Sequence, residues 1–182
     1  MIFVVDTIQF RGMSMNWLRS VVVTLASAIV FLSTGAVAYA TTYMCYDGVG
    51  SSGWTQYGSF NVAPYGFDGS MYWDYVQSTT ATESYGDWAF TPGSAGYYNY
   101  EVYIPDAYSD ANAQYIMDIS QYGTPTNYYI GVDQSQYSNQ WAFLGQWYSD
   151  GGQISDIGLY DNIQNGDTAA SIVGWDEAQI YN

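Results

Sequence analysis

VDQSQYSNQWAFLGQWYSDGG, residues Val132 to Gly152, is the stretch whose reading decides the fold. It holds the end of one apolar and aromatic strand at Val132 and a second strand from Gln140 to Tyr148, with a polar loop between them. Side chains alternate across a pleated strand with period two, so Trp141, Phe143 and Trp147 are expected to carry bulk toward one face of a sheet. Gly145 interrupts that face, and a glycine inside a strand marks a bulge or a close approach to bare backbone. Asp150-Gly151-Gly152 suits a tight turn, after which Ile154 to Tyr160 runs back as the next strand.

Outward from there the pattern repeats. Tyr98, Tyr100, Val102 and Ile104 alternate with Asn99 and Glu101, and Tyr115, Met117 and Ile119 alternate with Asp118 and Ser120. Thr41 to Tyr46, Thr79 to Phe90 and Tyr128 to Val132 read as further strands, and Ala170 to Tyr181 as the last. Trp54 to Trp73 reads as an irregular segment broken by Gly66, Asp68 and Gly69. Turns are expected at Pro92 to Gly96, at Gln121 to Thr126 through Gly123 and Pro125, and at Asp161 to Asp167. No stretch has the period of a long amphipathic helix. Eight or nine short strands separated by turn signals predict an all-β fold, an antiparallel β-sandwich of jelly-roll type.

Several of these pieces resemble the carbohydrate-binding-like domain found in golvesin and at the C-terminus of xanthan lyases. The resemblance rests on the VDQ loop, the following tryptophan, Leu144-Gly145 and the glycine turn, preceded by Trp88, Gly96-Tyr97-Tyr98 leading to Val102-Tyr103-Ile104-Pro105, and Ala113-Gln114-Tyr115 leading to Gly123. It covers Tyr46 to Tyr181 and implies a galactose-binding-like jelly roll that grips carbohydrate. The closing WDEAQIY, Trp175 to Tyr181, resembles the family's last strand and that of laminin-G-like lectin sandwiches. It has one residue more than the family's aspartate–alanine spacing, which leaves the register there open.

The N-terminal segment reads differently. MNWLRS from Met15, an apolar run from Val21 to Leu32, and Ala36-Val37-Ala38-Tyr39-Ala40 have the order of a secretory signal peptide. Residues 1–40 are therefore expected to be a leader helix cleaved after Ala40, with the true start at Met13 or Met15, and residues 41–182 one secreted domain. An uncleaved anchor is the alternative, since Val21 to Ala38 approaches the ~18 to 20 residues that span a bilayer.

The two basic residues of the chain, Arg11 and Arg19, both fall in that leader, and the sequence has no lysine and no histidine. Residues 41–182 keep every acid except Asp6, a formal charge of about −16 at neutral pH. Such a surface repels nucleic acid, anionic lipid and polyanionic glycans, because nothing on it neutralises a phosphate or a uronate. The acidity fits either a salt-adapted coat or life in acid, where protonation leaves little charge of either sign; the low share of charged residues, 10%, favours the second. Cys45 is alone, so no internal disulfide braces the fold and packing must hold it.

The same inventory removes most catalysis. Without histidine there is no Ser-His-Asp triad and no imidazole metal site. Sixteen acids in residues 41–182 can place two carboxyls near a bond by chance, but no spacing singles out a glycosidase pair. A non-catalytic domain is expected, with a small carboxylate-dependent glycan hydrolase as a lesser alternative. No metal site is read from the spacing and no cofactor is implied. Structural calcium is the one ion weighed, and Asp161 to Asp167 fails the EF-hand pattern at Ile163, leaving a hairpin turn as its reading.

Aromatic residues are the strongest functional lead. With 21 tyrosines and 7 tryptophans, more rings are present than a small core can hide. Exposed rings stack on sugar faces while Asp, Asn and Gln bind hydroxyls. The candidates for contact with neutral glycan, or with another cell-surface polymer, are Asp133, Gln134, Tyr137, Asn139 and Gln140 around the VDQ loop, together with Trp175. For Asp133 and Gln134, bracing the loop by hydrogen bonds is the competing reading. Trp88 and Trp141, mid-strand in alternating patterns, are expected in the core. The rival to glycan binding is a structural surface protein that self-associates through its tyrosines.

Overall fold

The computed structural model describes residues 40–48, 50–77 and 84–182. The expected leader helix lies outside the described residues. Among them, no helix is long and apolar enough to cross a membrane.

Among the described residues, twelve strands form three antiparallel sheets. The first runs β1 (Thr42–Cys45), β12 (Ala178–Tyr181), β6 (Gly96–Ile104), β9 (Gln140–Ser149). A second, five-stranded sheet runs β2 (Trp54–Tyr57), β5 (Tyr85–Phe90), β10 (Ser155–Tyr160), β7 (Asn112–Gln121), β8 (Thr124–Asp133). The third is small and orders β11 (Ile172–Trp175), β4 (Met71–Tyr75) and β3 (Asn61–Ala63). The expected all-β antiparallel jelly-roll sandwich is what the chain forms, with more strands than expected because Trp54 to Trp73 pairs rather than wandering.

The alternation read from the sequence decides which side chains are buried. Tyr98, Tyr100, Val102 and Ile104 of β6 meet Trp88 and Phe90 of β5, Tyr115, Met117 and Ile119 of β7, and Ile157 and Leu159 of β10 in one apolar core. Trp88 is 1% exposed, as expected of a core residue, and its Nε1 donates to Asp176 O at 2.7 Å. Cys45 behaves as a small core residue, with burial pushing its thiol up to about 12.

Four details differ from the sequence reading. Gly145 has φ +148 and sits at a bulge where the β6–β9 register shifts between Tyr100 and Glu101. A side chain there would run into the Trp147 ring, so the position suits only glycine. The bulge changes the phase of β9: Phe143 points out to solvent, while Trp147 turns in against Tyr100 and Tyr128. Trp141 is half-buried on the outer side rather than in the core. The single last strand is two, β11 and β12 in different sheets, broken at Asp176-Glu177. The β7–β8 turn is tighter than expected, through Tyr122 and Gly123 alone, with Pro125 inside an edge strand where a missing N–H is tolerated.

Core tightness makes a direct prediction. Gly86, in β5, lies between the Trp54 and Trp175 indoles, and an added methyl would strike both. Gly86→Ala should cost ~1–3 kcal/mol by denaturant unfolding, whereas Gly131→Ala, which has open space around it, should stay within ~0.5 kcal/mol.

Candidate functional site

The corner where the last strand breaks gathers the most unusual chemistry in the fold. The turn after β1 brings Asp47, and the β11–β12 junction brings Asp176 and Glu177. One carboxylate oxygen from each lies within 4.8 Å of the others, and all three residues are buried. Asp176 accepts the Phe67 N–H with both oxygens, at 3.0 and 3.3 Å. Both Glu177 oxygens and Asp47 Oδ2 are buried with no hydrogen-bond partner among the described residues. Buried charges are tolerated only when paired or bound to a metal, and residues 41–182 contain no basic side chain.

The electrostatic result follows. Burial, then the neighbouring Glu177, pushes Asp47 up to about 8. Burial and the adjoining Glu177 push Asp176 up to about 10, and burial raises Glu177 as well. Without a cation the cluster must hold protons at neutral pH. Three oxygen donors with no nitrogen or sulfur suit a hard cation such as calcium, and not zinc. The sequence reading placed no metal ligand here, because Asp47 lies far from Asp176 and Glu177 in the chain and only the β1–β12 pairing brings the two ends together.

Next to the carboxylates sits an aromatic platform of three rings set at 58° to 75° to one another. Tyr103 of β6 pairs across the strands with Trp141 of β9, and Phe67 comes over from the loop between β3 and β4. Their ring centroids are 5.3 to 5.4 Å apart: Phe67–Tyr103, Phe67–Trp141 and Tyr103–Trp141. Phe67 is 46% exposed, and Phe143, next outward along β9, is 56% exposed. The platform is fastened to the residues that carry these carboxylates, since Phe67 N–H donates to the Asp176 carboxylate and Tyr103 N–H donates to the Glu177 backbone carbonyl at 2.8 Å. Gly66, at φ +100, lets the backbone come close: a side chain would collide with the Asp176 carboxylate.

The sequence candidates divide. Asn139 is exposed in the loop before β9 and Gln140 is exposed at the first residue of β9, next to Trp141 in the chain. Tyr137 is half-buried and packs on the core. Asp133 caps the 3-10 turn Gln134–Gln136, accepting the Ser135 N–H at 3.1 Å and the Ser135 hydroxyl at 2.6 Å. Gln134 and Trp175 require correction, for both are fully buried and neither can touch a surface ligand. Gln134 donates to Tyr115 Oη and Gly174 O and accepts Gly174 N–H, tying the loop to β11. The Trp175 indole donates to Leu159 O at 3.0 Å inside the core. The bracing reading therefore holds for Gln134. Phe67 and Tyr103 were missed as site residues; their isolated positions in the sequence gave no signal that they would converge. Asp161 to Asp167 is a turn, with Asp167 accepting Asn112 and Gln164 N–H groups at 2.8 and 2.9 Å.

A fold of this kind occurs in solved carbohydrate-active proteins. The chain superposes on part of a Paenibacillus xanthan lyase with TM-score 0.62 at 14% identity, covering 77% of this chain. It spans only 13% of that enzyme's length. A family 35 carbohydrate-binding module from Cellvibrio japonicus aligns over 77% of this chain and 92% of its own, with TM-score 0.47 and 13% identity. The Clostridium thermocellum module of that family aligns over 78% and 98%, with TM-score 0.45 and 14% identity. No protein-family model and no curated protein matches the sequence. At these identities the likeness is one of fold.

The carboxylate cluster predicts an inverted response to pH. Carboxyls raised on folding contribute stability that is complete below the unfolded pKa, 3.8 for an Asp, and is lost as pH rises through about 8 for Asp47 and about 10 for Asp176. In chelator, melting temperature should therefore be highest below about pH 4 and fall steadily above it. Calcium at ~100 times its Kd should restore ~2.7 kcal/mol near pH 7.5 and almost nothing near pH 4. Asp176→Asn should flatten the chelator profile and abolish the calcium response in the same thermal scans.

Proposed function

We propose that the domain is a secreted, non-catalytic module that binds neutral glycan on the Phe67–Tyr103–Trp141 platform, with a hard divalent cation bracing that platform from below. The observation that carries this reading is the platform itself: three mutually packed rings, partly open to water, with the exposed Asn139 and Gln140 just before Trp141 in the chain. Flat aromatic faces take the C–H faces of pyranose rings, and amide side chains at the rim take hydroxyls. The absence of basic side chains from residues 41–182 supports a neutral ligand over a uronate. The fold it shares with a segment of xanthan lyase supports a carbohydrate partner.

A second reading, self-association, draws on another surface. Tyr122 and Tyr148 stack with centroids 4.5 Å apart, and Tyr97 packs edge-on against Tyr148. Tyr97 and Tyr122 are 60% and 73% exposed. Rings so placed can pack on a neighbouring molecule.

Affinity gels cast with neutral glucan or mannan separate the two. Retardation is expected, and Trp141→Ala should weaken it ~10- to 100-fold, the scale of a buried aromatic anchor. Tyr57→Ala, an exposed ring on the other sheet, should leave it unchanged. No retardation together with reversible oligomers in light scattering would favour self-association.

A further inference from the structure

A second group of rings lies on the small sheet. Trp73 and Tyr75 alternate with Asp74 in β4, so both are on one face of the strand, with ring centroids 5.5 Å apart. Tyr108, from the connection between β6 and β7, stacks on Trp73 at 4.8 Å and 27°, and Tyr65, from the loop between β3 and β4, meets Tyr108 at 5.6 Å. Tyr65, Tyr75 and Tyr108 are all exposed.

The fold holds Tyr108 there against its own preference. Its φ is +57, in the left-handed region that a bulky side chain avoids. Such a conformation persists only where the surroundings over-determine it, and here they do. The Asp110 and Ala111 N–H groups both donate to Ile172 O, at 2.9 and 3.0 Å, and Ile172 N–H donates back to the Asp110 carboxylate at 2.6 Å. The buried Ser109 hydroxyl donates to Pro105 O at 3.0 Å. Gly174 of β11 completes the seat, because a side chain there would strike Tyr108 O and Ser109 Cβ. The connection is thus fixed by the protein alone, and its strained residue is the one that presents a ring to solvent.

Two loops join this group to the platform. Tyr65 and Phe67 stand on the same β3–β4 loop with only Gly66 between them, so their Cα atoms are at most about 7 Å apart. Tyr103 sits near the end of β6, and Tyr108 in the connection that follows. The two ring groups are therefore neighbouring contact surfaces, together wider than a single pyranose, which is about the size of one aromatic ring. Charge selects the occupant. Exposed Asp68 and Asp106 stand on these same two loops, so a second copy of this acidic chain would set carboxylates against carboxylates. A neutral polyhydroxyl chain adds no charge, and its hydroxyls donate to the same carboxylates.

We infer that the two groups form one track for the interior of a neutral polysaccharide, several pyranose units long, rather than a seat for a chain end. This rests on the platform reading and deepens it: the platform takes one part of the chain, and Tyr65, Tyr108 and the β4 rings take the units beyond.

Calorimetric titration of the full chain with cellotriose and cellohexaose, and with the matching manno-oligosaccharides, tests this. In the series that binds, the hexasaccharide should bind at least about tenfold more tightly than the trisaccharide, the scale of an added aromatic contact. Tyr108→Gly removes the ring while suiting the positive φ, and should remove most of that gain with the trisaccharide's affinity unchanged. Tyr65→Ala, in an exposed loop, should act in the same sense, whereas Trp141→Ala should weaken both lengths. Equal affinity for the two lengths, or a length gain that survives Tyr108→Gly and Tyr65→Ala together, would overturn the track; continued weakening by Trp141→Ala would then leave the platform standing. No binding of either series, or binding indifferent to Trp141→Ala, would sink the platform and the track with it.

Discussion

Residues 41–182 carry no basic side chain, so no side-chain salt bridge can form among them, and that constraint organises this part of the structure. Each of the sixteen carboxyls in residues 41–182 must find N–H or O–H donors, face water, take up a proton, or wait for an external cation. Most find donors, and in doing so they join parts of the fold that the strand ladders leave apart. Asp150, just after β9, accepts Gly123 and Tyr122 N–H groups at 2.8 and 3.1 Å and the Ser120 hydroxyl at 3.1 Å, pinning the β7–β8 turn to a strand of the other sheet. Asp110 accepts Ile172 N–H at 2.6 Å, which secures the start of β11. Asp161 accepts Ser84 N–H at 2.9 Å in the interior. These carboxylates do the joining that lysine and arginine share in ordinary proteins.

Tyrosine supplies much of what the missing cations would have donated. The Tyr181 hydroxyl donates to Glu101 at 3.0 Å, and Gln179 donates to the other oxygen of the same carboxylate at 2.7 Å. Tyr85 donates to Asp87, and the buried Tyr98 hydroxyl donates to Ser94 O at 2.8 Å. A phenol packs like a hydrocarbon over most of its surface and still carries one strong donor. That double use accounts for 21 tyrosines in a chain of this size without requiring all of them to meet a ligand. It also narrows the functional argument to rings that pack on one another and still reach solvent.

What the sequence disclosed was local, and what it hid was convergence. Period-two alternation located β6, β7, β9 and β10, and with them the sandwich, because burial on one face of a strand imprints directly on the order of residues. Gly145 was recognisable as a bulge, but its effect was not. A bulge adds one residue to one strand and so moves Trp147 to the opposite face from Phe143, which no count of odd positions reveals. Gln134 has the composition of a surface loop and is nonetheless buried, because the amides of Gly174 and the Tyr115 hydroxyl meet it there. Asn139 and Gln140 were legible as exposed loop residues. The carboxylate cluster was not, since Asp47 joins Asp176 and Glu177 only after β1 pairs with β12.

The junction also ties the cluster to the surface above it. Phe67 is held through its backbone by Asp176, and Tyr103 through its backbone by the carbonyl of Glu177, so the platform's geometry depends on how those two residues sit. A carboxylate accepts the Phe67 N–H more strongly when ionised than when protonated. A cation bound there would keep Asp176 ionised at pH values where burial alone would protonate it. On the proposed reading, cation binding below and ring placement above would be two readings of one equilibrium, and a ligand that favoured the ordered platform would in turn favour the cation by the same free energy. The corner is costly to fold without a partner because three carboxylates share it with no counter-charge. On the proposed reading, the same feature would let an ion set the shape of a surface it does not touch.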